Sequence, residues 1–197
     1  ALCERIAKAA GMCAYDVELA WLSGMLHDVG RFEQIKRYNT FSDADSVDHA
    51  KFGADLLFKD GLISTFLNGM VKCTGYKPGA LEDRYSSDGV FLYDRLNKSD
   101  MEMLELAIRC HNMYRIPQGL NSREQAFCNV LRDADKVDIF KVNIDTPLEE
   151  IYNTTTEELM KSDITDEVLE AFDEEHCILK AIRRTPADTV IGHVSLA

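Results

Sequence analysis

The sequence predicts an all-α protein, a helical bundle with a small helical C-terminal appendage. Apolar residues recur at three- and four-residue spacing along most of the chain, and no convincing alternation of apolar and polar residues marks a strand. Capping signals precede two of the periodic stretches: Ser99 with Glu102, and Asn121 or Ser122 with Glu124. With 197 residues, 46% hydrophobic and 28% charged, the chain has the mass for one ordinary soluble domain with a real core.

Leu2, Ile6 and Ala9 or Ala10 mark a first helix that ends at Gly11. Tyr15 to Asp28 forms a second, with Leu19, Leu22, Met25 and Leu26 near one face, and Gly30 is expected to let it stop. A loop rich in Asn, Ser and Asp (Asn39 to Asp45) leads to a third helix carrying Val47, Phe52, Leu56 and Leu57. Gly61 to Cys73 reads as a fourth helix, and Thr74 to Gly89, with its Gly-Tyr-Lys-Pro-Gly run, as a surface loop or insertion. The helix capped at Ser99 carries Leu104, Ala107, Ile108 and His111 and ends at Ile116-Pro117-Gln118-Gly119. The next runs from Asn121 or Ser122 through Phe127, Val130, Leu131 and Ala134 toward Phe140. Residues 1–143 therefore read as the main helical domain. Residues 144–197, short acidic helical pieces between Thr- and Pro-containing links, read as an appendage packed on the same body.

Composition narrows the partners. The formal charge of −12 argues against nonspecific nucleic-acid binding, although a local basic patch could hold a small phosphate ester. No apolar run approaches the roughly 18 residues of a membrane span, and nothing at the start resembles a secretory signal. The six cysteines are scattered without a C-x-x-C pair, which favours reduced, core-filling thiols in a cytoplasmic protein. Oligomeric state is left open.

The doublet His27-Asp28, followed at once by Val29-Gly30, closes an apolar helical run and reads as a metal site. Consecutive helical residues project about 100° apart, so the pair can serve one divalent ion or let the carboxylate bridge two. Further candidates come from separate helices or helix ends: His49, His111 and Asp135. Three of the five histidines thus sit at the edges of apolar faces, while His176 and His193 read as structural or surface residues. Asp135 lies in the charged run Arg132 to Asp138, where Arg132 and Lys136 paired to acids on a solvated face account for Asp133 and Asp138.

These residues resemble the HD-domain superfamily of metal-dependent phosphohydrolases. Met25 to Arg31 is similar to the family's doublet segment, and Asp48 to Ala54 to the segment holding a further histidine. Ala107 to Asn112 is similar to the second such segment, and Leu131 to Lys136 to the closing motif with Asp135 as ligand. The resemblance covers roughly residues 1 to 143. It implies an HD-domain-like fold and a metal site of His27, Asp28, His49, His111 and Asp135, with Asp28 as the bridging, catalytic carboxylate. It also implies a first histidine upstream of the doublet, expected before Ala1 because residues 1–26 contain none. One ion is then expected on His27, Asp135 and that histidine, the other on His49 and His111. Manganese, iron, cobalt, zinc or magnesium suits this mixed donor set better than calcium, one or two per chain.

The implied function is hydrolysis of a nucleotide or other small phosphate ester by water activated at the metal. Arg31 and Lys51 are candidate contacts to the substrate phosphate, and Asn112 and Lys136 candidates to orient a ligand or pair with an acid. Tyr38 to Ser42 and the Thr74 to Gly89 segment are placed at the cleft. A two-iron oxygenase of the same superfamily and a degenerate sensor or interaction module remain alternatives at this point.

Overall fold

A computed structural model describes residues 2–73, 96–152 and 154–196, and every regular element among them is helical. The Thr74 to Gly89 segment lies outside the described residues. Two compact units are present, Ala1–Ala134 and Asp135–Ala197, and one helix runs through the division between them.

In the first unit, α1 (Leu2–Ala9) and α2 (Ala14–Leu26) form an antiparallel pair turned at Gly11, whose φ of 73° favours a residue without a Cβ. Gly24 lets the pair close, since a Cβ there would stand 2.7 Å from Cys3 Sγ. Leu19, Leu22 and Leu26 are buried as expected, but Met25 is exposed, because the buried face of α2 turns through Val17, Ala20 and Ser23 instead.

The second predicted helix does not run through the doublet. It stops at Leu26, and a separate α3 (Val29–Tyr38) starts one residue past Asp28. Gly30 is therefore not a stop signal. It lies buried in the first turn of α3, where its backbone meets α4 (His49–Ala54). A Cβ on Gly30 would come within 2.3 Å of the His49 carbonyl oxygen and 2.8 Å of Gly53 N. Two glycines thus let two helix backbones touch, a use that no local propensity reveals.

The α4 helix continues into a π-helical turn, Asp55–Lys59, and α5 (Leu62–Cys73) follows. α6 (Lys98–Cys110) is capped two residues earlier than expected: Asn97 accepts from Asp100 N, and Asp100 accepts from Asn97 N, completing a capping box. Tertiary partners decide that register. Asp100 is fully buried, accepts from Tyr15 Oη at 2.6 Å and lies 2.8 Å from Arg123 Nη2. α7 (Ser122–Asp145) starts where predicted, with Asn121 accepting from Glu124 N, but runs past Phe140 to Asp145. Leu19, Leu22, Leu57, Leu104, Ile108, Phe127 and Leu131 fill the core among these helices.

The second unit holds the C-terminal part of α7 with α8 (Leu148–Tyr152), α9 (Thr156–Lys161), α10 (Asp166–Asp173) and α11 (Pro186–Val194). Short helices of this kind depend on their ends. Thr155 with Glu158 and Thr185 with Asp188 form capping boxes. The fully buried Asp188 also accepts from Thr165 N and Arg184 N, joining the starts of α10 and α11.

Backbone contact at Gly30 makes a sharp prediction. Gly30→Ala should cost about 3 kcal/mol, because the new methyl meets main chain that cannot rotate away. Gly11→Ala, with open space but positive φ, should cost about 1 kcal/mol. Urea midpoints of the two variants test the ranking, and equal stabilities would refute the packing role of Gly30.

Candidate metal centre

The break between α2 and α3 sets the doublet. His27 is the C-cap residue of α2, its N–H bonded to the Ser23 carbonyl, while Asp28 leaves the helix at φ −100°, ψ 12°. The two side chains therefore project from a helix junction rather than from one continuous helix. His49 opens α4 and His111 caps the end of α6. Asp135 follows Ala134 on the unbroken α7.

The structure brings these five residues together in two overlapping groups. Asp28, His49 and His111 form one; His27, His111 and Asp135 form the other; in each, one ligand atom per residue lies within 4.8 Å of the rest. His111 thus belongs to both, where the sequence reading set it with His49 alone. Asp28 faces both ways, with Oδ2 3.6 Å from His27 Nε2 and Oδ1 3.5 Å from His49 Nε2 and 3.7 Å from His111 Nε2.

Hydrogen bonding on the far side of each ring fixes what faces inward. His27 Nδ1 donates to the Gly24 carbonyl at 2.9 Å, His111 Nδ1 to the Ile108 carbonyl at 2.7 Å, and His49 Nδ1 to the Asp43 carboxylate at 2.7 Å. All three acceptors lack a proton to give, so each neutral ring carries its hydrogen on Nδ1 and a lone pair on Nε2. The Nε2 atoms of His49 and His111 stand 3.1 Å apart. Two lone pairs at that distance repel unless a cation lies between them. Nitrogen ligands about 2.0–2.1 Å from one tetrahedral ion sit roughly 3.3 Å apart, so the pair fits a metal.

The electrostatics agree. Burial pushes the Asp28 carboxyl up, but His111, His27 and His49 outweigh it through the positive charge they place beside it whenever they carry a second proton, and the group is held at about 2. Burial, then the Arg31 charge, pushes His49 down against the opposing pull of Asp43, which favours the neutral, ligating ring.

Arg31 lies beside Asp28, its Nε 3.8 Å from Oδ1, and its Nη1 donates to Gln34 Oε1, the Phe41 carbonyl and Asp43 Oδ1. It thereby ties the Tyr38 to Ser42 stretch to α3. Lys51 pairs with Asp48 at 2.8 Å. Asn112 donates to Asp48 at 2.9 Å and reaches Asp43 at 3.4 Å, whereas Lys136 approaches Cys177 Sγ at 3.7 Å. Arg132 donates to the Tyr114 carbonyl.

Two residues central to the site went unread in the sequence. Asp43 backs His49, and the fully buried Gln34 donates to Asp43 Oδ1, Ser46 Oγ and the Val47 carbonyl. Asp43, Asp45 and Asp48 look alike in sequence, and only the fold selects one. Gln34, three residues after Arg31, gave a weak signal as a polar residue on an inward helix position.

A family model for the HD domain matches residues 1–185. No curated protein and no solved structure matches the chain. The chain belongs to the HD-domain family, whose members are in general hydrolases that bind divalent metals.

Asp48 supplies a pH test. Burial raises its carboxyl, but bonds from Lys51, Asn112 and the Lys51 backbone hold it at about 2, below its ordinary 3.8. A lowered carboxyl contributes stability above the unfolded value and loses it as pH falls through the folded one. Asp48→Asn keeps a capping side chain but cannot ionise. Wild type should exceed it in stability at pH 7, and the difference should vanish between about pH 4 and pH 2. Urea midpoints across that range check this; a constant difference would contradict it.

Proposed function

We propose that the protein is a metal-dependent phosphohydrolase acting on a nucleotide or other small phosphate ester through a mono- or dinuclear centre. The observation that carries this reading is the convergence of three Nε2 lone pairs on the two oxygens of one ionised carboxylate, Asp28. His27 and Asp135 would hold one ion and His49 the other, with the single Nε2 lone pair of His111 serving one of them and Asp28 offering an oxygen to each. Manganese, iron, cobalt, zinc or magnesium fits these nitrogen and carboxylate donors. A divalent ion bound there supplies Lewis-acid chemistry, acidifying water and drawing charge from the phosphoryl oxygens.

The side chains around the centre have separate tasks. Asp28 stays ionised at neutral pH, and the Nδ1 bonds to Gly24, Asp43 and Ile108 keep the three imidazoles turned toward it. Arg31, held beside Asp28, is our candidate for contact with the substrate phosphate; Lys51, turned to Asp48, is the weaker one. The reading includes a reducing, cytoplasmic setting, supported by the free thiols of Cys13, Cys110 and Cys128. Cys3, Cys110 and Cys128 fill the core, while Cys13 is exposed. None of the described helices is long and apolar enough to cross a membrane.

Metal analysis joined to a screen of nucleotides and phosphomonoesters with added manganese, cobalt, zinc or magnesium tests the proposal. Turnover in the loaded protein is expected, and Asp28→Ala should lose metal and turnover together. A metal-loaded protein inactive on every phosphate ester would overturn the reading, and normal metal content in Asp28→Ala would overturn the bridging role.

A further inference from the structure

The three inward-facing histidines are not backed alike. His27 and His111 each donate from Nδ1 to a carbonyl three residues earlier, Gly24 and Ile108, so these bonds come with the helix ends themselves. His49 is the first residue of α4 and has no preceding turn of its own helix. Its Nδ1 lies 2.7 and 2.9 Å from the two oxygens of Asp43, six residues upstream. We propose that Asp43 is a positioning residue that holds His49 in the Nδ1–H form, so that affinity for a divalent ion at Asp28, His49 and His111 depends on it. This inference rests on the metal-centre reading above.

Asp43 is itself firmly set. Its Oδ1 accepts from Gln34 Nε2 at 2.9 Å and from Arg31 Nη1 at 3.1 Å. Gln34 is held in turn by Ser46 and Val47, and its Oε1 accepts from Arg31. Every group facing Asp43 is a donor, and only a carboxylate accepts from all of them. An asparagine at this position has one acceptor oxygen. Turning its amide nitrogen toward Gln34 and Arg31 would oppose donors with donors on both. The smaller loss keeps the oxygen there and turns the nitrogen toward His49 and the more distant Asn112 Nδ2, 3.4 Å from Oδ2. His49 must then accept at Nδ1, its hydrogen moves to Nε2, and the lone pair facing Asp28 and His111 is gone.

The test needs no turnover. Two-bond proton–nitrogen spectra of the metal-free protein, with His49 assigned from its absence in His49→Ala, should show Nδ1–H in wild type and Nε2–H in Asp43→Asn. The rings of His27 and His111 should be unchanged. Calorimetric titration with manganese should show binding roughly 10- to 100-fold weaker in Asp43→Asn. Asp43→Glu, which restores a carboxylate, should keep the Nδ1–H form and recover part of the affinity, and it serves as the measured variant if Asp43→Asn does not fold. Wild-type affinity in Asp43→Asn, or Nε2–H in Asp43→Glu, overturns the inference alone. Wild-type protein that binds no manganese, cobalt or zinc overturns both it and the reading it rests on.

Discussion

The candidate centre depends on one steric constraint, the backbone contact between α3 and α4 at Gly30 and Gly53. Side chains on either residue would hold the helices apart, since a Cβ on Gly53 would stand 3.0 Å from Gly30 N and one on Gly30 2.3 Å from the His49 carbonyl. Because Asp28 precedes α3 and His49 opens α4, closing this contact brings the carboxylate to 3.5 Å from the imidazole. Further along the same pair, the Arg37 guanidinium lies 5.1 Å from the centre of the Phe52 ring, so the helices remain in register beyond the glycines.

Bringing helix starts so close buries polar groups, and each must find a partner or cost stability. Around the centre the loop between α3 and α4 meets that demand through Arg31, Gln34 and Asp43 rather than through apolar packing. On the other side of the unit, Asp16, Tyr15, Asp100 and Arg123 do the same for α2, α6 and α7. Breaking one member of such a cluster leaves the rest unsatisfied, which is why polar clusters fix geometry more strictly than apolar contacts do. The apolar core sets the bundle, and these polar ties set its angles and registers.

This division explains what could be read from the sequence. Periodicity located the helices and the all-α class, because a 3.6-residue repeat is written locally. Ligand residue types, read through the family resemblance, singled out His27, Asp28, His49, His111 and Asp135, which fall into two candidate groups. What escaped was decided between elements. Gly30 has the local look of a helix stop, yet its neighbour in space is His49. Ser99 with Glu102 has the spacing of a capping box, yet Asn97 caps the helix because Tyr15 and Arg123 hold Asp100. Asp43 shares its loop with Asp45, and only the fold turns it toward the ring. His111 is assigned to one candidate group from chain order, whereas its place at a helix end puts its Nε2 within reach of both.

Charge adds a last constraint on the proposed reading. The chain carries a formal −12, and Asp28, Asp43, Asp48 and Asp135 all lie at or near the centre. Among the described residues, Arg31 already bonds through Nη1 to Asp43 and the Phe41 carbonyl, and Lys51 pairs with Asp48. Such a surface repels a phosphate ester unless positive charge is brought to it. On this reading divalent ions serve substrate binding as much as bond cleavage, because His49 is held toward its neutral form and the carboxylates set the local sign. The same balance favours a small ester over a long polyanion. A few fixed charges at one point can hold a single phosphate, whereas the net acidic charge of the chain disfavours a second or third along a polyanion.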